Sequence, residues 1–274
     1  MIRTGAINWQ NPVSRCGLND GLVSWWLARG PWIGGGTWFD LCKRNNGTLT
    51  NMDPTTDWVG SSRIGGRYHL DFDGSNDWVN CGTNAALVQL TGEMTVCAWI
   101  RPATGGSGNA SAVGAFSSGS ANAWRLGFNT ATNKFNAFWG GGSIGVSTST
   151  LTLDAWSHAG WTRSGSAGSW SLALYKNGIQ DNTASTATNP TNSTTATIGA
   201  TDSAGTPFLG MIDDVRVYSR ALSTGDFAQL YSDSLAGYPQ TLNRIERRMG
   251  YVAAAAFKSA WARNSNVYMG AGAA

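Results

Sequence analysis

A pair of carboxylates is the simplest constellation that could do chemistry here. Glycoside hydrolysis sets two of them about 5–10 Å apart around the bond to be cut. The chain has 16 acidic residues, of which only Glu93 and Glu246 are glutamates, far apart in sequence. No Glu-x-Asp-x-x-Glu run occurs, so no catalytic residue is assigned and an enzyme is not expected. Asp213-Asp214 is the one adjacent acidic pair. Neighbours on a strand point to opposite faces, so the two cannot grip one ion side by side. Asp213 is expected on the face of Val215 and Val217. His69 and His158, the only histidines, lie in strand-like stretches beside aromatics and read as ordinary sheet residues. Cys16, Cys42, Cys81 and Cys97 include no CxxC pair, which argues against a zinc site. Cys97 reads as a small hydrophobe, and free thiols are expected. Gly140-x-Gly142-x-x-Gly145 spells a dinucleotide fingerprint, but Val146-Ser-Thr-Ser-Thr after it is β-like, and the fingerprint needs a helix there.

Short strands must position these residues. Charged residues make up only 13% of the chain, and Gly contributes 36 residues and Trp 14. Glu is too scarce for surface helices, which excludes a helical bundle or coiled coil. A hydrophobic content of 42% and aromatic content of 11% can support a core, which excludes a disordered chain. The longest apolar run, Tyr251 to Phe257, falls well short of the ~20 residues of a membrane span, and residues 1–5 hold no apolar signal core. Period-2 alternation marks Met94, Val96, Ala98 and Ile100 as one strand face, Leu70 and Phe72 as another, and Trp170, Leu172 and Leu174 as a third. Further strands are expected over 124–129, 134–139, 155–163, 194–200 and 207–218. Asn177-Gly178 signals a two-residue hairpin, whose type I′ turn needs positive φ at both centres. Ser223 with Asp226 three residues on opens a helix to about Tyr231. Pro239 can start another.

Six motifs then fall in order: Leu22-Val-Ser-Trp-Trp, Asp40-Leu-Cys-Lys-Arg-Asn-Asn-Gly-Thr-Leu, Leu70-Asp-Phe-Asp-Gly-Ser-Asn-Asp-Trp-Val, Met94-Thr-Val-Cys-Ala-Trp-Ile, Leu174-Tyr-Lys-Asn-Gly and Gly210-Met-Ile-Asp-Asp-Val-Arg-Val-Tyr-Ser-Arg-Ala-Leu-Ser. Together they resemble the laminin-G-like jelly roll of the concanavalin A-like lectin/glucanase superfamily. The resemblance covers about 20–232. It implies an all-β fold: a two-sheet antiparallel jelly-roll sandwich, six or seven strands per sheet, with short C-terminal helices and extended termini. Members of the family often hold a structural calcium, which would map onto Asp40, Asn45 and Asp213. The usual loop reads Asp-Ser-Ser-Gly-Asn, whereas this one places Lys43 and Arg44 inside it. A salt bridge or a turn-capping Asp is the other reading. No further cofactor is implied.

The ends, Asn8-Trp9-Gln10-Asn11-Pro12 and Phe257-Lys-Ser-Ala-Trp-Ala-Arg, resemble laminin-G-like virion proteins of tailed bacteriophages. That implies a non-enzymatic structural protein, a capsid decoration protein or head fibre, made in the host cytoplasm and held on the capsid surface. Three parts are expected: an N-terminal arm (1–18), the jelly roll (19–232) and a C-terminal attachment segment (233–274). Residues 238–274 hold five basic residues and one acid, a net charge of +4, against −1 for residues 1–237. A basic segment on a near-neutral body suits contact with an acidic partner. The attachment residues read from this pattern are Trp9, Arg244, Arg247, Arg248, Phe257, Trp261 and Arg263. Expected partners are a major capsid protein or other virion proteins and further copies of the chain. Neither nucleic acid nor membrane is expected. The alternative is a lectin module for host-surface glycans. Trp25, Trp26, Trp32, Trp38, Trp58, Trp124 and Trp139 exceed what a small core requires, and core filling, a protein interface and sugar stacking all remain open for them.

Overall fold

The computed structural model describes residues 17–29, 35–116, 124–201 and 205–237. Trp9, Trp32, Arg244, Arg247, Arg248, Phe257, Trp261, Arg263 and the helix expected at Pro239 lie outside the described residues.

Two antiparallel sheets of eight strands dominate the described residues. Sheet A contains β1 (Leu22–Trp26), β4 (Trp58–Gly60), β5 (Tyr68–Asp73), β7 (Met94–Pro102), β12 (Ser157–Ser166), β13 (Ser169–Lys176), β14 (Ile179–Thr186) and β16 (Leu209–Tyr218). Its order is β14-β13-β12-β7-β16-β5-β4, with β1 also paired to β16. Sheet B contains β2 (Thr37–Trp38), β3 (Gly47–Thr50), β6 (Trp78–Asn80), β8 (Asn109–Phe116), β9 (Trp124–Asn129), β10 (Lys134–Trp139), β11 (Gly142–Val146) and β15 (Thr195–Ile198). Its order is β11-β10-β9-β8-β15-β6-β3-β2. Each sheet has one or two strands more than the motifs suggested. Several of the extra strands span only two to four residues, too short for alternation to reveal.

The sandwich core is built from the alternate residues that the pattern marked. Val96, Ala98, Ile100, Leu172 and Leu174 are buried in it beside Trp26, Trp38, Trp124, Trp139 and Trp161. Burial of each large apolar side chain contributes roughly 1.5–3 kcal/mol. Trp25, which belongs to neither core cluster, is buried on the other side of sheet A. Trp58 packs half-buried against the core. The buried tryptophans are therefore packing residues and not sugar platforms.

Sheet A is buried on both faces in its middle. Beyond the one-turn helix α1 (Ala85–Val88), helix α2 (Thr224–Leu235) lays Phe227 and Leu230 over Cys97, Tyr175 and Tyr218, forming a second apolar cluster. The helix begins where expected, with a complete capping box: the Ser223 hydroxyl accepts from the Asp226 N–H at 3.1 Å, and the Asp226 carboxylate accepts from the Ser223 N–H at 3.0 Å. It runs four residues past Tyr231 because Ser234 stays buried and accepts from the Trp99 indole at 2.9 Å. The β13–β14 hairpin turns at Asn177 (φ 50) and Gly178 (φ 80). Cys42, Cys81 and Cys97 are free thiols.

Candidate functional site

Strand β16 carries an irregularity where the acidic pair sits. Its first half pairs with β5 and its second half with β1. Between them the register to β7 slips at Asp213–Arg216, and Asp214 takes φ 52. This is a β-bulge: an extra residue re-aims the side chains that follow. Asp213 consequently stands opposite Trp99 on the outer face, while Val215 and Val217 point into the core. The expected shared face for these three residues is corrected by the bulge, which strict alternation cannot anticipate.

Both aspartates are fully buried and fully engaged. Asp213 accepts from the Ala28 N–H at 2.9 Å and the Asp214 N–H at 2.7 Å, and pairs with the Arg63 guanidinium. Burial is the largest influence on its carboxyl and pushes its pKa up; Arg63 opposes that, and the Asp214 charge adds to it. Asp214 accepts from the Trp25 indole at 2.7 Å and from Arg216 Nε at 3.1 Å, and the Arg216 guanidinium lies 3.9 Å over the Trp25 ring. Asp40 is held differently. One oxygen accepts from the N–H groups of Trp25 and Cys42, the other from those of Arg44 and Asn45, between 2.8 and 3.2 Å. Asn45 donates to the Ser24 hydroxyl at 2.6 Å.

These donor sets do not fit calcium, which takes six to eight oxygens. The Asp40 carboxylate is spent on four backbone donors and that of Asp213 on a guanidinium and two more. Among the described residues, no three His, Cys, Asp or Glu side chains gather as metal ligands. Asp40 caps its loop and Asp213 bridges to Arg63, the other reading of each residue.

The histidines are structural as well. His158 packs against Trp99, Phe227 and Tyr231 with ring centroids 5.6–6.2 Å away, and burial pulls its pKa down to about 3. His69 sits against Trp156 and is pulled down to about 4 by burial. Gly141-Gly142-Ser143-Ile144-Gly145 spells a nucleophile elbow by letter. Ser143, however, lies within strand β11 of a hairpin, not at the strand-to-helix turn such an elbow requires.

The outer face of sheet B holds one group of buried polar atoms without hydrogen-bond partners. The pairing registers place Ser143, Phe138, Arg125, Gly114, Thr197, Asn80, Thr48 and Thr37 in one rank across the sheet. The next rank holds Val146, Asn136, Gly127 and Ser111. Arg125 and Asn136 alternate with core-facing Trp124, Leu126, Phe135 and Ala137, so they point away from the core. Even so, Ser111, Arg125, Asn136 and Phe138 are all buried, and Phe116 and Phe138 belong to neither apolar cluster. The two glycines let these rings lie down on the sheet. A Cβ at Gly114 would strike the Phe116 ring, and one at Gly127 would strike the Asn136 carboxamide and Phe138. The Arg125 guanidinium lies 3.7 Å over Phe138. Ser111 Oγ, Arg125 Nε and Asn136 Oδ1 are buried with no hydrogen-bond partner. Buried polar atoms are nearly always partnered, so three orphans in two adjacent ranks mark this face.

A laminin G family model, described as the concanavalin A-like lectin/glucanases superfamily, matches residues 73–227. The chain belongs to this superfamily. No curated protein matches it in sequence. Among solved structures, Trypanosoma rangeli sialidase is similar at TM-score 0.55 and 14% identity, over 78% of this chain and 33% of the sialidase. Domain 4 of AbnA, a GH43 extracellular arabinanase from Geobacillus stearothermophilus in complex with arabinotriose, is similar at TM-score 0.56 and 15% identity, over 77% and 98%. The botulinum neurotoxin serotype D binding domain is similar at TM-score 0.55 and 14% identity, over 78% and 52%. The chain spans about one third of the sialidases it matches. At these identities the likeness shows the fold, a lectin-like jelly roll.

Sequence reasoning did not reach the sheet-B face. Strands 124–129 and 134–139 were legible, with Trp124 and Trp139 marking their core face. The available signal was Arg125, Asn136 and Phe138 recurring on the non-core face of neighbouring strands.

Proposed function

We propose that the protein is a non-enzymatic recognition body which binds glycan on the outer face of sheet B and is fixed to a tailed-phage particle by its terminal segments. The observation carrying the glycan reading is the pair of ranks around Arg125. Flat rings, an amide, a guanidinium and hydroxyls lie side by side with three polar atoms lacking partners. Sugar-binding surfaces combine such apolar floors with a few placed polar groups. Arabinotriose in the AbnA domain and the sialic acid complex of the sialidase agree with a saccharide ligand for this fold.

The same ranks speak against catalysis. Neither contains a carboxylate, whereas glycoside cleavage commonly needs two. Glu93 accepts from the Gly165 N–H at an exposed turn, and Asp213 and Asp214 are neutralised by Arg63 and Arg216. The +4 segment with Arg244, Arg247, Arg248, Phe257, Trp261 and Arg263, and Trp9 in the opening motif, support attachment.

A glycan array including arabino-oligosaccharides and sialylated glycans tests recognition. Binding that is lost in Asn136→Ala, with an unchanged melting curve, is expected. Failure to bind any saccharide overturns the glycan reading. Deleting 239–274 should leave a folded body that no longer joins particles. If the truncated chain unfolds, the segment belongs to the domain's own core and the attachment reading falls.

A further inference from the structure

We infer that the saccharide taken up at the outer face of sheet B carries a carboxylate, and that Arg125 is the residue that reads it. The inference rests on the glycan reading and names the ligand's charge.

Four arginines are buried among the described residues: Arg63, Arg125, Arg163 and Arg216. Three have oxygen partners. Arg63 pairs with Asp213, Arg216 pairs with Asp214, and Arg163 donates to the carbonyls of Leu90 and Gly92. Arg125 is 5% exposed and, among the described residues, has only the Phe138 ring. Its Nε is buried without a partner. Burial alone pulls its pKa down, to about 10, with no neighbouring charge contributing, and at that value it stays cationic at neutral pH.

A buried charge without a counter-charge is strongly unfavourable, and stacking on one ring returns only part of the loss. Such a group is retained where an anion arrives to meet it. The planar guanidinium fork matches a carboxylate bidentately. The surroundings select among anions. Arg125 is the only charged residue in its two ranks, so a single negative charge is matched, whereas a phosphate dianion would call for more than one cation. Everything else in the ranks is neutral: Asn136, Ser143, Asn80, Thr48 and Thr37 carry amide and hydroxyl groups of the kind that pair with sugar hydroxyls. Directly across the ladder, the Phe116 ring lies over Gly114 and extends the apolar floor beside the guanidinium. A uronic or sialic acid residue meets all three features.

Titration calorimetry with two matched probe pairs tests this: tri-galacturonate against its methyl ester, and 3′-sialyllactose against lactose. The acidic member of at least one pair should bind about tenfold or more tightly than its neutral counterpart. That advantage should shrink as salt rises. Arg125→Gln should reduce acidic-sugar binding to the level of the neutral counterpart, and Arg125→Lys should not restore it. As an independent readout, Arg125→Met should raise the melting temperature of the ligand-free protein, because it removes an uncompensated charge. Equal binding of acidic and neutral members, unchanged in Arg125→Gln, overturns this inference and leaves the glycan reading standing. Binding of none of the four probes, with capture of a poly-glutamate peptide instead, overturns both.

Discussion

Asp213 and Arg63 stand 150 residues apart in the chain and meet with neither side chain exposed to solvent. Their pairing ties the loop after β4 to the bulge in β16, beneath the C-terminal end of α2. The same guanidinium also donates to the Ser234 carbonyl at 3.3 Å, so one residue joins strand, loop and helix.

Removing one partner leaves the other charged and buried. Arg63→Met should lower stability by about 3–5 kcal/mol, whereas Arg63→Met with Asp213→Leu should recover part of that loss. Urea denaturation of both variants measures it. A single variant within 1 kcal/mol of the parent would contradict the burial of this pair.

The capping box at Ser223 and Asp226 predicts a smaller loss. Ser223→Ala should cost about 0.5–2 kcal/mol, read as an earlier denaturation midpoint with unchanged slope. Because α2 covers Cys97 and Tyr218, Cys97 should react faster with a thiol reagent in this variant.

At the β13–β14 turn, Gly178 holds φ 80, and a Cβ there would approach the Tyr231 Cβ to 2.9 Å. Gly178→Ala should therefore cost at least ~1–2 kcal/mol for the left-handed backbone alone, plus the displacement of α2. Thermal unfolding measures the shift, and an unchanged midpoint would contradict the turn.

Acid should act through His158. Its folded pKa of about 3 lies below the ordinary histidine value of 6.5, so the unfolded chain binds the extra proton and stability falls as pH drops from 6.5 toward 3. Asp77, pushed up to about 6 by burial, titrates in the same window with opposite sign. The comparison is thus with His158→Gln, whose stability should fall less steeply, by ~1.4 kcal/mol per pH unit near pH 5. Parallel curves for the two proteins would show that His158 takes up its proton while folded.

Calcium should make no difference to the body. With the oxygens of Asp40 and Asp213 already accepting from N–H groups, melting curves in chelator and in millimolar calcium chloride should superimpose. A shift upward with calcium would mean that these donors are displaced.

Local chemistry was enough for much of the fold. Alternation placed Val96, Ala98, Ile100, Leu172 and Leu174 in the core, because a strand's side chains alternate whatever lies around it. Asn177-Gly178 specified its turn through positive φ, and Ser223 with Asp226 specified the start of α2 through the unpaired N–H groups of a helix end. These signals operate within a few residues.

The rest was decided by contacts distant in sequence. The end of α2 depends on Ser234 meeting Trp99. The face of Asp213 depends on the bulge at Asp214, where β16 exchanges β5 for β1. Whether Asp40 and Asp213 hold a metal or accept N–H groups depends on which donors the folded chain delivers to them. The sheet-B face could be seen only once registers between strands were known, since Arg125, Asn136 and Ser111 come from three strands whose pairing no single strand encodes. Only in the folded molecule does Arg125 prove to be, among the described residues, the buried guanidinium with neither a carboxylate nor a carbonyl against it, because such partners are neighbours in space and not neighbours along the chain.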